Sequence, residues 1–359
     1  MQRPFYIFTF FFLFLLQFSA LAQDDAIRRI QGAGSRYGRG ATQGKGDSIL
    51  HRTGLEDSIT IRFRFLDSSR LVGFDSSISD FTNRFPIPWH HVHLGNLGNA
   101  TNDLIFSPSF NPGWDIGFHA YDVYKFKVEE TRFYTTTRPY SEVGYLLGSQ
   151  AEQMIHLLHT QNIRPNWNAS FQYRLINAPG FFQNQNTNHN NYRFGSWYSS
   201  RNKRYNNFII ALGNKLQSSE NGGILSNGNY LDSIDYRDDR FKIPTNLNVG
   251  SGFERRNFFN SNVKTGTKYT TGNFLMRQQY DLGQKDSIVT DSTVVPLFYP
   301  RLRFEHTIQY NTYNYRFEDR YADSAYYKSN YNIQFDTIRD TFIRRDKWHE
   351  MINYFSIYT

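Results

Sequence analysis

In the segment NWNASFQYRLI, apolar and polar residues alternate strictly. Trp167, Ala169, Phe171, Tyr173 and Leu175 share one parity, and Asn168, Ser170, Gln172 and Arg174 share the other. A period of two predicts a β-strand with unlike flanks. The same theme recurs in DSITIRFRFL from Asp57, where Ile59, Ile61, Phe63 and Phe65 oppose Thr60, Arg62 and Arg64. It also recurs in NYRFGSWYSS, RYNNFIIALGNKL, TNLNVGSGF, GNFLMRQQYDL, RLRFEHTIQYNTYNYRF, YNIQFDTI and MINYFSIYT. Strand candidates begin near Trp114 with the loosely alternating IGFHAYDVYKFKV, so 113–359 reads as antiparallel strands and loops. Two stretches are ambiguous. AEQMIHLLHTQ fits a short amphipathic helix, but it also pairs with EVGYLLG as a hairpin, and the hairpin is the preferred reading. NAPGFFQNQNTNHNN, polar and Asn-rich, reads as a long loop.

The other segments lack this alternation. MQRPFYIFTFFFLFLLQFSALAQ carries Arg3, an apolar run from Phe5 to Leu16 and the small-residue pattern Ala20-Leu21-Ala22, the signature of a cleavable export signal over 1–22. Residues 23–50 contain QGAGSRYGRGATQGKGD and read as a flexible Gly-rich leader. Residues 51–112, with frequent Gly, Pro and Asn and short apolar pieces, read as a small periplasmic or plug-like β region. Nothing after residue 22 approaches the roughly 18 uninterrupted apolar residues of a membrane helix. A bilayer role therefore requires a closed barrel, the other architecture that satisfies every backbone polar group in hydrocarbon.

Composition sharpens that choice. A mean hydropathy of -0.61 is water-loving, yet aromatic residues make up 18% of the chain. A barrel that alternates lipid-facing apolar with lumen-facing polar residues, and adds aromatic girdles, explains both at once. The formal charge of +8 comes from Lys and Arg scattered among Tyr, Asn and Asp. Nucleic acid is not an expected partner, and a basic lumen is the better use of the charge. The absence of cysteine removes lipoprotein anchoring, disulfides and cysteine-based metal or nucleophile motifs.

Candidate chemistry is sparse. Gly40 to Lys45 has too few intervening residues for a phosphate loop, and Gly46 stands where a hydroxyl would hold Mg²⁺. His90, His91 and His93 offer imidazoles, but no neighbouring carboxylate in the sequence completes a metal site. His156 and His159 share a face only on a helix. No nucleophile elbow is present, so no catalytic residue, metal ligand or cofactor is assigned, and the chain is not expected to be an enzyme.

The run RPYSEVGYLLGSQAEQMIHLLHTQNIRPNWNASFQYRLINAPGFFQNQNTNHNNYRFGSWYSSRNKRYNNFIIALGNKLQSSENGGI, from Arg138 to Ile224, resembles the signature region of the "putative porin" family of Gram-negative outer-membrane β-barrel proteins. The upstream NRFPIPWHHVHLGNLGNATNDLIF is similar to that family's N-terminal part. The resemblance implies an all-β antiparallel transmembrane barrel in the cell outer membrane, passing small polar solutes by diffusion and embedded in outer-membrane lipid as a monomer or homo-oligomer. On the best strand, Asn168, Ser170, Gln172 and Arg174 are the expected lumen-facing residues, and Trp167, Phe171, Tyr173 and Leu175 the expected lipid-facing ones. Family members run longer, and Tyr358 is only penultimate to Thr359 where closing strands commonly end on an aromatic residue. A truncated member is the expectation. The competing expectation is a secreted aromatic-rich β-sandwich that binds glycans or other surface partners.

Overall fold

The computed structural model describes residues 60–73, 85–106, 108, 117–247, 263–290, 293–335 and 341–359. The export signal and Gly-rich leader lie outside the described residues. Eight strands form one antiparallel meander in which each pairs with its sequence neighbour: β6 (Tyr140–Leu147), β7 (Gln153–Arg164), β8 (Trp167–Ala178), β9 (Thr187–Ser199), β10 (Tyr205–Ser219), β11 (Gly266–Thr290), β12 (Thr293–Asp319) and β13 (Phe342–Tyr358). The sheet is open, with β6 and β13 at its edges among the described residues. Its connections differ sharply by end. Residues 165–166, 200–204 and 291–292 link strands at one end, whereas 220–265 and 320–341 are among the links at the other.

A smaller unit precedes the meander. β1 (Ile61–Arg64) lies between β2 (Val72–Gly73) and β5 (Phe133–Thr136), and β3 (His91–His93) pairs with β4 (Thr101–Asp103). This unit docks on one face of the large sheet. Phe133 and Leu66 pack with Phe208, Ile210, Leu212 and Leu275, while Tyr121, Tyr124 and Leu97 pack with Met154, Ile176, Leu216 and Tyr269. At roughly 25 cal/mol per Å² of apolar area, these two clusters are the main force holding the small unit to the wall. No second sheet of comparable size faces the meander among the described residues, which argues against the sandwich.

The structure revises several expectations. The large sheet starts at Tyr140, not near Trp114. Between them, the loosely alternating segment forms a 3₁₀ turn at Asp122–Tyr124 where described, and the residues after it form β5, which pairs with β1. Its aromatics alternate because Tyr124 and Phe126 are pressed into the sheet, not because the backbone runs in a ladder. The expected Asn-rich loop is partly strand: β9 begins at Thr187, since the polar side chains there bond to the docked unit. YNIQFDTI is not a strand where described. Its first residue, Tyr331, ends an eight-residue helix, α1 (Ser324–Tyr331), which Asp323 caps and Asn332 terminates in the left-handed conformation. In TNLNVGSGF, Thr245 forms only an isolated bridge to Ile224, and residues from 248 lie outside the described set. The AEQMIHLLHTQ hairpin is present as β6–β7, turning through a short 3₁₀ segment at Ser149–Ala151.

Candidate functional site

The inner face of the meander, which holds the small unit, is lined by alternate residues of each strand. Six successive strands reach the unit from this one face. Asn162 of β7 donates to Thr136 O, and Arg174 of β8 and Asn191 of β9 both donate to Tyr124 O. Asn214 of β10 bonds Phe126, and Phe118 packs on Tyr269 of β11 and Tyr315 of β12. These inner side chains therefore spend hydrogen bonds on the docked unit's irregular backbone, whose polar groups could not remain buried without partners. His189 shows the same logic. Its Nε2 donates to Gly98 O at 2.7 Å and its Nδ1 accepts from Gln217 N at 3.0 Å, which assigns the neutral Nε2–H tautomer.

The four polar residues of β8 share this inner face. Asn168, Ser170 and Arg174 are buried and Gln172 is half-buried. Asn168 bonds Thr160 and Asn162, Ser170 donates to Gly195 O, and Gln172 bridges His156 and Arg193. Arg174 lies over the Phe126 ring, 4.6 Å from its centroid, with Nη2 2.6 Å from Tyr124 O. Arg174 anchors the docked unit at this point of the sheet, whereas Asn168, Ser170 and Gln172 bond to the neighbouring strands β7 and β9. Sequence alone showed nothing of the docked backbone that consumes Arg174.

Open polar space lies further along the same face. A cavity of about 580 Å³ at the short-turn end is lined by Arg64, Asp67, Arg277, Arg303, Glu305 and Tyr358, among others. Arg303 grips Asp281 in bidentate fashion at 2.6 and 2.9 Å, Arg277 meets Asp67 at 2.6 Å and Glu305 at 3.5 Å, and Gln279 donates to Glu305 at 2.7 Å. The result is a rigid array of fixed charges of both signs. Inner residues of β12 continue the polar surface through Thr307, Gln309 and Asn311. The signal for it was present in GNFLMRQQYDL and RLRFEHTIQYNTYNYRF, whose polar parity is charged at one end.

The outer face differs in kind. Trp167, Phe171, Tyr173 and Leu175 lie on it, Trp167 being exposed and the others half-exposed. They register with Tyr198, Phe194, Tyr192 and Asn190 of β9. The outward residues form a mainly apolar band, interrupted by Gln278, His306 and Asn353: Val143, Tyr145 and Leu147 on β6, Ile155 and Leu157 on β7, Ile209 and Ala211 on β10, Phe274, Met276 and Tyr280 on β11, Phe304, Ile308 and Tyr310 on β12, and Met351, Phe355 and Ile357 on β13. Polar residues flank it, for example Asn190, Lys215, Thr270, Asn314 and Lys347, which fall in one register row. The band does not run straight across the sheet. Relative to the hydrogen-bonded register, its centre drifts by about seven residues from β6 to β13, roughly 24 Å along the strands against roughly 34 Å across them, a slope of about 35°.

A third feature sits near the long-loop end, where Asn96 donates to Gln185 O and Thr187 to Leu97 O. At the base of the β3–β4 hairpin, His90, His91 and Asp103 bring their ligand atoms within 4.8 Å of one another. The Ile105 amide and His90 hold the Asp103 carboxyl below its usual range. Asp103 is the carboxylate that the local sequence around the histidines lacked; the hairpin supplies it from the facing strand. His93 takes a different role, accepting from Gly95 N.

An antiparallel meander with a small unit docked on one face and an aromatic-rich band on the other defines an all-β protein. A family model described as "Putative porin" matches residues 63–358, and the chain belongs to that family. Searches among curated proteins and among solved structures returned no match. No helix among the described residues is long and apolar enough to cross a membrane, which leaves strand-based crossing open.

Proposed function

We propose that this chain forms the wall and plug of a porin-like β-barrel in the Gram-negative outer membrane, admitting small polar solutes. The observation that carries this reading is the slope of the outward apolar band. Strands in membrane barrels tilt by about 35–45° from the barrel axis, so a band parallel to the bilayer must drift across the register at that angle. A soluble sheet has no reason to do so. Family membership supports a porin-like role in general, and the aromatic and aliphatic make-up of the band supports contact with lipid.

The orientation follows from the connections. Short turns belong to the periplasmic side and long loops to the outside, so the arginine-rich cavity opens toward the periplasm and the His90–Asp103 hairpin lies near the external mouth. Asn168, Ser170, Gln172 and Arg174 face the barrel interior, Arg174 as an anchor of the plug, and Trp167, Phe171, Tyr173 and Leu175 face lipid. Selectivity resides in Arg277, Arg303 and Glu305, where fixed charges border open space. The outer edges of β6 and β13 require strand partners within hydrocarbon, because unpaired backbone groups there cost several kcal/mol each.

Conductance in a planar bilayer tests the proposal. Discrete, reproducible steps from the purified protein are expected. A heat-modifiable, membrane-inserted species that never conducts would instead make this chain a structural or partner-binding barrel.

A further inference from the structure

We propose that the base of the β3–β4 hairpin is a divalent transition-metal site, with His90 and His91 each supplying an imidazole nitrogen and Asp103 a carboxylate. Neighbours on a strand point to opposite sides, so consecutive histidines would ordinarily diverge. Here His90 lies in the turn before β3, which begins at His91. Its ring leaves the strand alternation and stands 4.7 Å from that of His91. Register then brings Asp103 directly opposite His91.

The separations suit a metal. His90 Nδ1 is hydrogen-bonded to Asp103 Oδ1 at 2.7 Å, a contact that a bound ion would replace, and His91 Nε2 lies 3.8 Å from Oδ2. A tetrahedral ion with bonds of about 2.0–2.2 Å places its donors about 3.4 Å apart, between these two values. The side chains are shielded yet reachable, at 25%, 14% and 30% exposure for His90, His91 and Asp103. Nδ1 of His91, the ring nitrogen other than the one facing Asp103, is buried with no hydrogen-bond partner among the described residues.

The backbone around the site is also fixed. Leu104 N donates to His90 O at 3.0 Å, and Ile105 N donates to Asp103 Oδ1 at 2.9 Å. Two imidazoles and one carboxylate, with a further position open to water, favour zinc, nickel or copper over calcium or magnesium, which prefer all-oxygen cages. The bound ion would clamp the base of a hairpin whose tip is already held, since Leu97 O and Gly98 O accept from Thr187 and His189.

The test uses the full chain, untagged, folded in detergent and stripped with chelator, titrated with Zn²⁺ by calorimetry and with Co²⁺ by visible absorption. Tight binding of one equivalent and the intense visible bands of four-coordinate cobalt are expected. H91A and D103N should each weaken Zn²⁺ binding by about 100-fold or more, beyond what loss of an outer-shell partner does. H306A and H349A, which alter histidines on the far strands, should leave it unchanged. Should the wild-type protein, folded by heat-dependent gel mobility, give no cobalt bands or bind zinc equally well as H91A and D103N, the proposal is overturned.

Discussion

Asn214→Ala is expected to loosen the plug without unravelling the wall. Asn214 is 2% exposed on the inner face of β10. Its Oδ1 accepts from Phe126 N at 2.7 Å, and its Nδ2 donates to Phe126 O and to Thr271 Oγ1, both at 3.1 Å. The amide thus acts as a one-residue extension of the ladder, and Phe126, itself buried, has its backbone pairing supplied from the wall. Truncation leaves a buried N–H and a buried C=O unpaired. At about 1–3 kcal/mol for each orphaned group, the loss is roughly 2–6 kcal/mol. Because 1.4 kcal/mol is about tenfold in an equilibrium constant, the plug should open about 30-fold to 20,000-fold more often. Native-state hydrogen exchange reads this directly. Amides over 118–136 should exchange faster by that factor, while those of β8 to β11 keep most of their protection. Asn214→Asp should behave at least as badly, since it sets a carboxylate oxygen against Phe126 O. Unchanged exchange in 118–136 would refute the claim that side-chain amides of the wall satisfy the plug's backbone.

Further outcomes follow from the same geometry. Phe171→Arg, near the middle of the apolar band, should lower folding stability in lipid vesicles by about 2–4 kcal/mol, measured by denaturant titration; a neutral result would place Phe171 away from lipid. Gly98→Ala should detach the β3–β4 hairpin, because φ is +89° and a Cβ would fall 2.7 Å from Thr187 Oγ1 and 2.9 Å from His189 Nε2. Proteolysis within 94–100 would report it, and wild-type resistance would contradict it. Arg303→Glu places three carboxylates together beside the cavity and should move bilayer reversal potentials toward cation preference. No change in selectivity would exclude that cavity from the conducting path.

Strand parity was the most legible feature of the sequence. From Trp167 to Leu175 every side chain falls on the face its parity predicts, because both environments constrain the pattern at once. β10 was less clear: Phe208, Ile210, Leu212 and Leu216 point inward to the plug while Ile209 and Ala211 point outward, so both parities are apolar. Sequence reading could not see the docked unit behind this inversion. The same blindness made Arg174 look like a free lumen charge when Tyr124 and Phe126 cover it. The segment from Trp114 misled because aromatic spacing in an irregular plug segment resembles loose alternation. The His90–His91–Asp103 cluster was hidden because a hairpin, and not local spacing, brings its carboxylate in.

The chain contains no cysteine, so single cysteines can be introduced and spin-labelled without background. Accessibility to oxygen and to a water-soluble nickel chelate, measured in lipid vesicles along β8 and β12, tests whether the sloping outer band meets hydrocarbon. Labels at Phe171, Tyr173, Ile308 and Tyr310 should favour oxygen and those at Gln172 and Gln309 should not, with the oxygen maxima offset between the two strands as the slope requires. Equal access of the nickel chelate to all of these positions would contradict a membrane wall.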